Sequence, residues 1–411
     1  MRRIGASAVA AALLLGFSTP AQAARAPSCP SEVGARSAIV VEVETGAVAC
    51  ARAADKRLSV GSTTKLMTAL LTLEEARLGD TFTAAPYNAL PVESKIGLQP
   101  GERMKVSDLM RGLLLESGND AAVTLAEGVS GSRKAFVRQM NRRARQLDLD
   151  NTHFANPIGL DQEGNYSSAR DLVTLATLLL ENKFFAKVVD SPSGTLKTGV
   201  RPRTFRNRNR LVARYPYVNG VKTGHTRGAG YVLVGAARRN GIQLVSAVLG
   251  TPSEAARDND TMRLFDWAFP RFQRIRAVIK GRTMAKAQIR YRAGAELELV
   301  PSRTVRRIVQ RGHRDAVSTS VHAPEVVEGP IRRGQQLGRI EVKQGGEVVA
   351  TVPLVAKSAV PVADIAQKTK SAASRPWVLL LVAAAALGAT VLLARRRSSP
   401  SRRRPREARA A

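Results

Sequence analysis

The stretch Val218–Gly250, VNGVKTGHTRGAGYVLVGAARRNGIQLVSAVLG, decides the fold. Strand character opens it at Val218–Lys222, and two further β-rich runs, Gly230–Ala237 and Ile242–Leu249, flank Asn240-Gly241. An Asn-Gly pair tolerates the positive φ angles of a two-residue turn, so these two runs form a hairpin. Downstream, Ser253–Ala268 has the spacing of an amphipathic helix and stops at Pro270. Near the start of the chain, Ala38–Val43 and Val48–Ala51 read as a second hairpin turned by Glu44-Thr45-Gly46. Helical periodicity fills the interval. One helix begins near Ser62 and runs to about Ala76, and another is capped by Ser107 with Leu109, Leu113 and Leu114 on a face. Others cover Asp120–Glu127, Arg133–Leu147 and Ser168–Glu181, where Ser168 and Asp171 stand at capping-box spacing. The sheet must therefore pair early strands with late ones. That is an α+β arrangement: an antiparallel sheet flanked by helices, with an inserted helical subdomain.

Outside this larger domain, expected over 24–272, the pattern changes. Arg276–Val355 shows short alternating strands and no helical period, so 273–356 is expected to be a small all-β domain. Polar, small-residue-rich 357–376 reads as a linker. Trp377–Ala394 carries no charge; at 1.5 Å per residue it spans roughly 27 Å, enough for a transmembrane helix. Arg395-Arg396-Arg397 follow directly, so 395–411 is expected to be a basic cytoplasmic tail. At the other end, Arg2 and Arg3, apolar Ile4–Phe17 and Ala21-Gln22-Ala23 have the form of a signal peptide over 1–23. The part between is then extracytoplasmic, held at the cell membrane by a single pass. Membrane lipid is an expected partner through the C-terminal helix.

The net charge of +31 raises nucleic acid as a partner, but aromatics are only 4% and no nucleic-acid motif occurs. A basic surface facing an acidic cell wall or anionic headgroups accounts for the charge instead. The two cysteines, Cys29 and Cys50, predict a disulfide in an exported protein, with two buried thiols as the alternative. The four histidines lie far apart in the sequence, so no metal site and no cofactor is expected.

Three short motifs carry chemistry: Ser62-Thr63-Thr64-Lys65 opening a helix, Ser117-Gly118-Asn119 between two helices, and Lys222-Thr223-Gly224 ending a strand before His225. None is specific alone. Their order and settings together point to a serine nucleophile. Side chains at i and i+3 share a helix face, which sets Lys65 beside the Ser62 hydroxyl. A serine near neutral pH needs such a base, and burial plus a second cation lowers a lysine's pKa enough to supply one. Lys222 on the facing strand is the candidate cation. Ser117 would bridge the lysines and relay a proton to the leaving amine, Asn119 would hold a substrate amide, and the strand edge at Lys222 would pair with an extended peptide.

With these motifs the chain resembles the low-molecular-mass penicillin-binding proteins, the serine-type D-alanyl-D-alanine carboxypeptidases, over nearly all of Ala38–Val355. Leu160-Asp161 and Tyr166–Asp171 look like that family's loop before its next helix, and Trp267 ends a similar helix. The resemblance implies a penicillin-binding/β-lactamase-like catalytic domain followed by the family's β-domain. It implies attack of Ser62 on the penultimate D-Ala of peptidoglycan stem pentapeptides, release of D-Ala, hydrolysis by water, and acylation of the same serine by β-lactams. It further implies an oxyanion held by the backbone N–H groups of Ser62 and His225. A free terminal carboxylate needs cations or donors. Thr223 offers a hydroxyl, a family arginine matching Arg257 faces that carboxylate, and Arg208 is a second candidate. One departure is the anchor, since many relatives end in an amphipathic helix lying on the membrane. A class A β-lactamase would need Ser-Asp-Asn and a later Glu-x-x-Leu-Asn, absent here. A transpeptidase or endopeptidase of the same fold, or a catalytically silent wall-binding protein, are the other readings.

Overall fold

The structure is a computed structural model that describes residues 26–373 and 376–397. The expected signal peptide and residues 398–411 of the basic tail lie outside them. The chain divides into two units at Phe269/Pro270.

In the first unit, β1 (Ser37–Glu42) and β2 (Val48–Arg52) form the early hairpin. Its turn is pinned by the Glu42 carboxylate, which accepts from the Glu44 and Thr45 amides at 3.0 and 2.9 Å. A 3₁₀ turn, Gly61–Thr64, leads into α1 (Lys65–Glu75); β3 (Thr81–Thr83), β4 (Arg103–Lys105) and α2 (Val106–Arg111) follow. A single π-turn, Gly112–Glu116, precedes α3 (Asn119–Ser130) and α4 (Arg133–Gln146). Next come α5 (Ala169–Leu180), α6 (Lys183–Val189), β5 (Ser193–Leu196), β6 (Arg203–Arg206) and α7 (Leu211–Arg214). The late sheet strands are β7 (Val218–Thr226), β8 (Gly230–Arg239) and β9 (Ile242–Thr251), and α8 (Glu254–Ala268) closes the unit.

The five-stranded sheet has the order β2-β1-β9-β8-β7, with every pairing antiparallel. Early and late segments meet where Ile39 faces Ala247 across β1 and β9. Asn240 and Gly241 both adopt positive φ, 53° and 78°, as the hairpin turn requires. Buried Ile39, Val234 and Ala247 of the sheet share one core with Leu66, Leu70 and the helices behind. Helix α1 is buried from Lys65 to Thr72. A helix buried all round is a central one, and this fixes its first residue, Lys65, inside the protein.

Local details differ from the expectation. Ser107 caps nothing: α2 starts at Val106 after extended Lys105. Ser168 does cap α5 through the Asp171 amide at 3.1 Å, but the Asp171 carboxylate turns away to Asn151 and Thr152, so the capping box is half made. β7 runs through the third motif to Thr226, because its ladder with β8 continues past Lys222.

The second unit contains β10 (Phe272–Val278), β11 (Ala285–Ile289), β12 (Glu296–Pro301), β13 (Val305–Gln310), β14 (Val317–His322), β15 (Val326–Val327), β16 (Gln336–Gln344) and β17 (Glu347–Ala356). Six of them form a sheet in the order β14-β16-β17-β12-β11-β15, and β10 pairs with β13. Leu297, Leu299, Ile340, Val352 and Leu354 fill its core. The expected linker holds a helix, α9 (Ile365–Ala373), started by the Asp364 carboxylate on the Gln367 amide at 2.7 Å. Trp377–Ala394 lies in α10 (Pro376–Arg397). Among the described residues no helix is long and apolar enough to cross a membrane.

Candidate active site

The 3₁₀ turn at Gly61–Thr64 holds Ser62, and α1 begins three residues later at Lys65, so both side chains face the end of β7. Lys65 Nζ lies 2.9 Å from Ser62 Oγ and donates to the Ile158 carbonyl at 2.7 Å. Lys222 Nζ lies 2.9 Å from Ser117 Oγ and donates to the Thr223 carbonyl at 2.9 Å. Ser117 sits in the left-handed region, φ 67°, where the π-turn hands over to α3. That kink aims its hydroxyl back at Lys222. Both lysines are buried, 0% and 1% exposed. Burial pushes Lys65 well below the ordinary lysine range, and the Lys222 cation pushes it further. Lys222 is lowered to about 7, by burial first and by the Arg208 guanidinium next.

Backbone approach is very close here. A Cβ on Gly224 would stand 3.2 Å from the Ser62 nitrogen, and one on Gly61 would stand 2.9 Å from the His225 nitrogen. The turn bearing the serine therefore packs against β7 main chain to main chain. Asp161 clamps the β7–β8 turn from below: it accepts from Ser59, Thr226 and the Gly228 amide at 2.6, 2.7 and 2.9 Å. Burial alone would raise its pKa, but these donors hold it below the usual carboxylate range.

The described cleft, of about 360 Å³, is lined by Ser62, Ser117, Thr223, Gly224 and His225 together with Arg208, Arg210 and Arg257. Arg257 is only 2% exposed; its Nε and Nη2 are taken by Asp258 at 2.9 and 2.7 Å, with Glu254 at 3.3 Å, which leaves Nη1. Arg208 is tied to Glu116 through the carbonyl at 2.9 Å and the carboxylate at 2.5 Å. Asn119 is buried and donates Nδ2 to Glu93 at 2.6 Å. Burial tends to raise the Glu93 pKa, yet donation from Tyr87 and Asn119 keeps it low and ionised. An ionised carboxylate only accepts, so Asn119 must present its NH₂ end to Glu93. Its Oδ1 is then left as an acceptor. Cys29 and Cys50 are disulfide-bonded, with Cα atoms 4.9 Å apart. No group of metal ligands occurs among the described residues.

Sequence reasoning missed Ile158, Glu93, Tyr87 and Arg210. Ile158 acts through its carbonyl, which no side-chain pattern betrays. Glu93 sits in an irregular segment with no periodicity.

A family model described as D-alanyl-D-alanine carboxypeptidase matches residues 21–253, more than half of the chain. The chain belongs to the D-alanyl-D-alanine carboxypeptidase family. A second model, the penicillin-binding protein 5 C-terminal domain, matches 272–362. D-alanyl-D-alanine carboxypeptidase DacF of Bacillus subtilis is 33% identical over 370 residues, 87% of this chain and 94% of the relative. Penicillin-binding protein 5 from Haemophilus influenzae has a similar structure: TM-score 0.58, 28% identity, 81% of this chain and 99% of that one. The Streptomyces K15 DD-transpeptidase is similar over 59% of this chain and 99% of its own, with 34% identity and a TM-score of 0.56. This carboxypeptidase is thus a serine-type hydrolase of the penicillin-binding kind, with a PBP5-like α+β catalytic domain and an all-β C-terminal domain.

Proposed function

We propose that Ser62 is the nucleophile that opens the terminal D-Ala–D-Ala bond of peptidoglycan stem pentapeptides, with neutral Lys65 taking its proton. The observation that carries this is the Lys65 Nζ–Ser62 Oγ contact at 2.9 Å beside a lysine whose ammonium form is disfavoured by burial. Lys65 keeps its orientation through the Ile158 carbonyl while its lone pair faces the hydroxyl. The Ser62 and His225 amides stabilise the oxyanion; the contact between the Gly61 turn and β7 supports this pairing. Ser117, bonded to Lys222, relays to the departing D-Ala amine the proton that Lys65 took from Ser62; water, giving a proton to Lys65, then attacks the acyl carbon, and that proton returns to Ser62 Oγ as the acyl bond breaks. Asn119 Oδ1 accepts a substrate N–H. Arg257 Nη1 and Thr223 read the free carboxylate, with Arg208 at the same mouth. Ser62→Ala tests the core of this: it should remove both D-Ala release and covalent penicillin labelling, and labelling that persists would rule out this nucleophile.

Acyl transfer to an amine, as in a transpeptidase, is the second reading, favoured by the 34% identity to the K15 enzyme. Product analysis with an added amine acceptor separates the two. We further infer that the catalytic unit is exported and anchored at the cell membrane. The support for this is the 1–23 pattern and α10, along which Leu380, Leu381, Val382, Leu387 and Leu393 are exposed. On this reading it is the uncharged run Trp377–Ala394 of the sequence, rather than any described helix taken alone, that meets lipid, and the arginine tail is cytoplasmic. Truncation before Trp377 should release an active soluble protein; retention on membranes after a carbonate wash would count against this anchor.

A further inference from the structure

Helix α4 carries six cations and no acid. Its inner face, Phe136, Met140 and Ala144, is buried in the core, and Ser132 caps its start through the Ala135 amide at 3.2 Å. Arg133 and Arg143 are neutralised by Glu127 and Glu74 at 2.8 and 2.7 Å. Lys134, Arg138, Arg142 and Arg145 are different. They follow one another at i, i+4, i+8 and i+11, within about 80° of arc and along about 16 Å of helix. All four are exposed, and none has an ion-pair or hydrogen-bond partner for its side chain among the described residues. Arg142 shares a cleft with Glu74 and Glu75, and these acids are engaged by Arg143 and Gln139.

The N-terminal end of this row opens onto a recess of about 380 Å³. Val123, Val137, Pro157, Ile158 and the Tyr87 ring form its largely apolar walls, and Lys134 and Arg138 stand at its lining. It has no residue in common with the catalytic cleft, yet two of its walls lie close to the site, Ile158 one hydrogen bond from Lys65 and Tyr87 two from Asn119. Ile158 supplies the carbonyl that holds Lys65, and Tyr87 donates to Glu93, the partner of Asn119.

We propose that this recess and cationic row form a docking surface for the wall polymer that carries the substrate: an extended peptidoglycan strand whose peptides bear carboxylates on aliphatic stems. The inference rests on the carboxypeptidase reading and names where the rest of its substrate goes. Charge complementarity argues for an anion, since unpaired cations on one face repel one another unless an anion lies along them. The apolar recess argues for a chain with aliphatic stems that enters it, rather than a flat lipid surface. Its position beside Ile158 and Tyr87 puts the docked chain next to the residues that orient Lys65 and Asn119.

The test replaces Lys134, Arg138, Arg142 and Arg145 by Gln together in the full chain. D-Ala release is measured on soluble pentapeptide-bearing wall fragments and on a short diacylated D-Ala-D-Ala peptide. Pelleting with isolated sacculi and with phosphatidylglycerol vesicles is measured in parallel. The expected result is a fall of tenfold or more in kcat/KM on wall fragments, with a flatter salt dependence and weaker pelleting with sacculi. Turnover of the short peptide and vesicle binding stay unchanged. Undiminished wall turnover and sacculus pelleting overturn the proposal. Equal loss on both substrates also overturns it, because the row is then structural, and so does a loss confined to vesicles. Absence of D-Ala release by the unmodified protein from either substrate would sink the catalytic reading instead, and pelleting with sacculi would still decide the docking surface.

Discussion

Gly159→Ala is expected to disable acylation without touching any catalytic side chain. Gly159 has φ +89°, and a Cβ built on it would stand 2.0 Å from the Gly61 carbonyl oxygen and 2.5 Å from its carbon. Ordinary C···O contacts begin near about 3.3 Å, so the two segments must part by roughly 1 Å. Gly61 precedes Ser62, and Ile158, just before Gly159, holds Lys65 Nζ at 2.7 Å. Parting them separates Ser62, the proposed nucleophile, from Lys65, its proposed base, and a misplacement of that size costs about 10²-fold in rate. The assay is the second-order rate of labelling by a fluorescent penicillin, with a thermal melt to establish folding. Gly164→Ala is the control. It has a similar positive φ, 78°, but its Cβ would meet nothing closer than His153 Nδ1 at 3.5 Å. A folded Gly159→Ala protein that labels within a few-fold of the unmodified rate would refute the reasoning. So would an equal loss in Gly164→Ala, because backbone strain alone would then explain the effect.

Other consequences are equally checkable. Removing the Cys29–Cys50 bridge, which closes a loop of 21-residue separation, should cost about 3 kcal/mol and lower Tm by roughly 6–12 °C; an unchanged melt of the Cys29→Ala/Cys50→Ala protein would contradict this. Arg203 grips buried Glu102 in a two-point ion pair at 2.8 and 2.9 Å, so Arg203→Met should destabilise by about 3–5 kcal/mol in a denaturant titration. Lys222 has a folded-state pKa of about 7 against an ordinary 10.5, so the unfolded chain binds more protons between those values. Its contribution makes stability rise with pH across that window, and Lys222→Met should flatten the rise. Arg257→Ala should cut kcat/KM on a free-acid D-Ala-D-Ala peptide by tens of fold, from about 1.5–3 kcal/mol for a charge-assisted contact, and leave an ester analogue nearly unaffected. Equal losses on both would send the search for the carboxylate reader elsewhere.

The parts legible in the sequence were those in which one residue type has one physical meaning. Asn240-Gly241 announces two consecutive positive φ angles, and the early and late hairpins then force a single sheet. Ser62 and Lys65 at i and i+3 announce a shared face near a helix start. Harder to read were contacts made by backbone or across long separations. The Ile158 carbonyl reaches Lys65 over 93 residues and leaves no pattern. Glu93 meets Asn119 over 26 residues from a loop without periodicity. Ser107 looked like a cap because serine often is one, but the chain enters α2 one residue earlier. Spacing marks Asp120 only as a helix residue, whereas its carboxylate also gathers the Ile96, Gly97 and Leu98 amides at 2.9, 2.8 and 3.0 Å. That grip holds the segment carrying Glu93 against α3, a tertiary role that one-dimensional spacing does not encode.

The most direct test of Ser62 as the acylated residue is mass spectrometry of the protein and its products during turnover of a D-Ala-D-Ala pentapeptide. Turnover should give tetrapeptide and D-Ala in equal amounts, with an acyl adduct trapped on the peptide that contains Ser62 and none in Ser62→Ala. An adduct on any other residue, or D-Ala release that survives Ser62→Ala, would contradict that assignment.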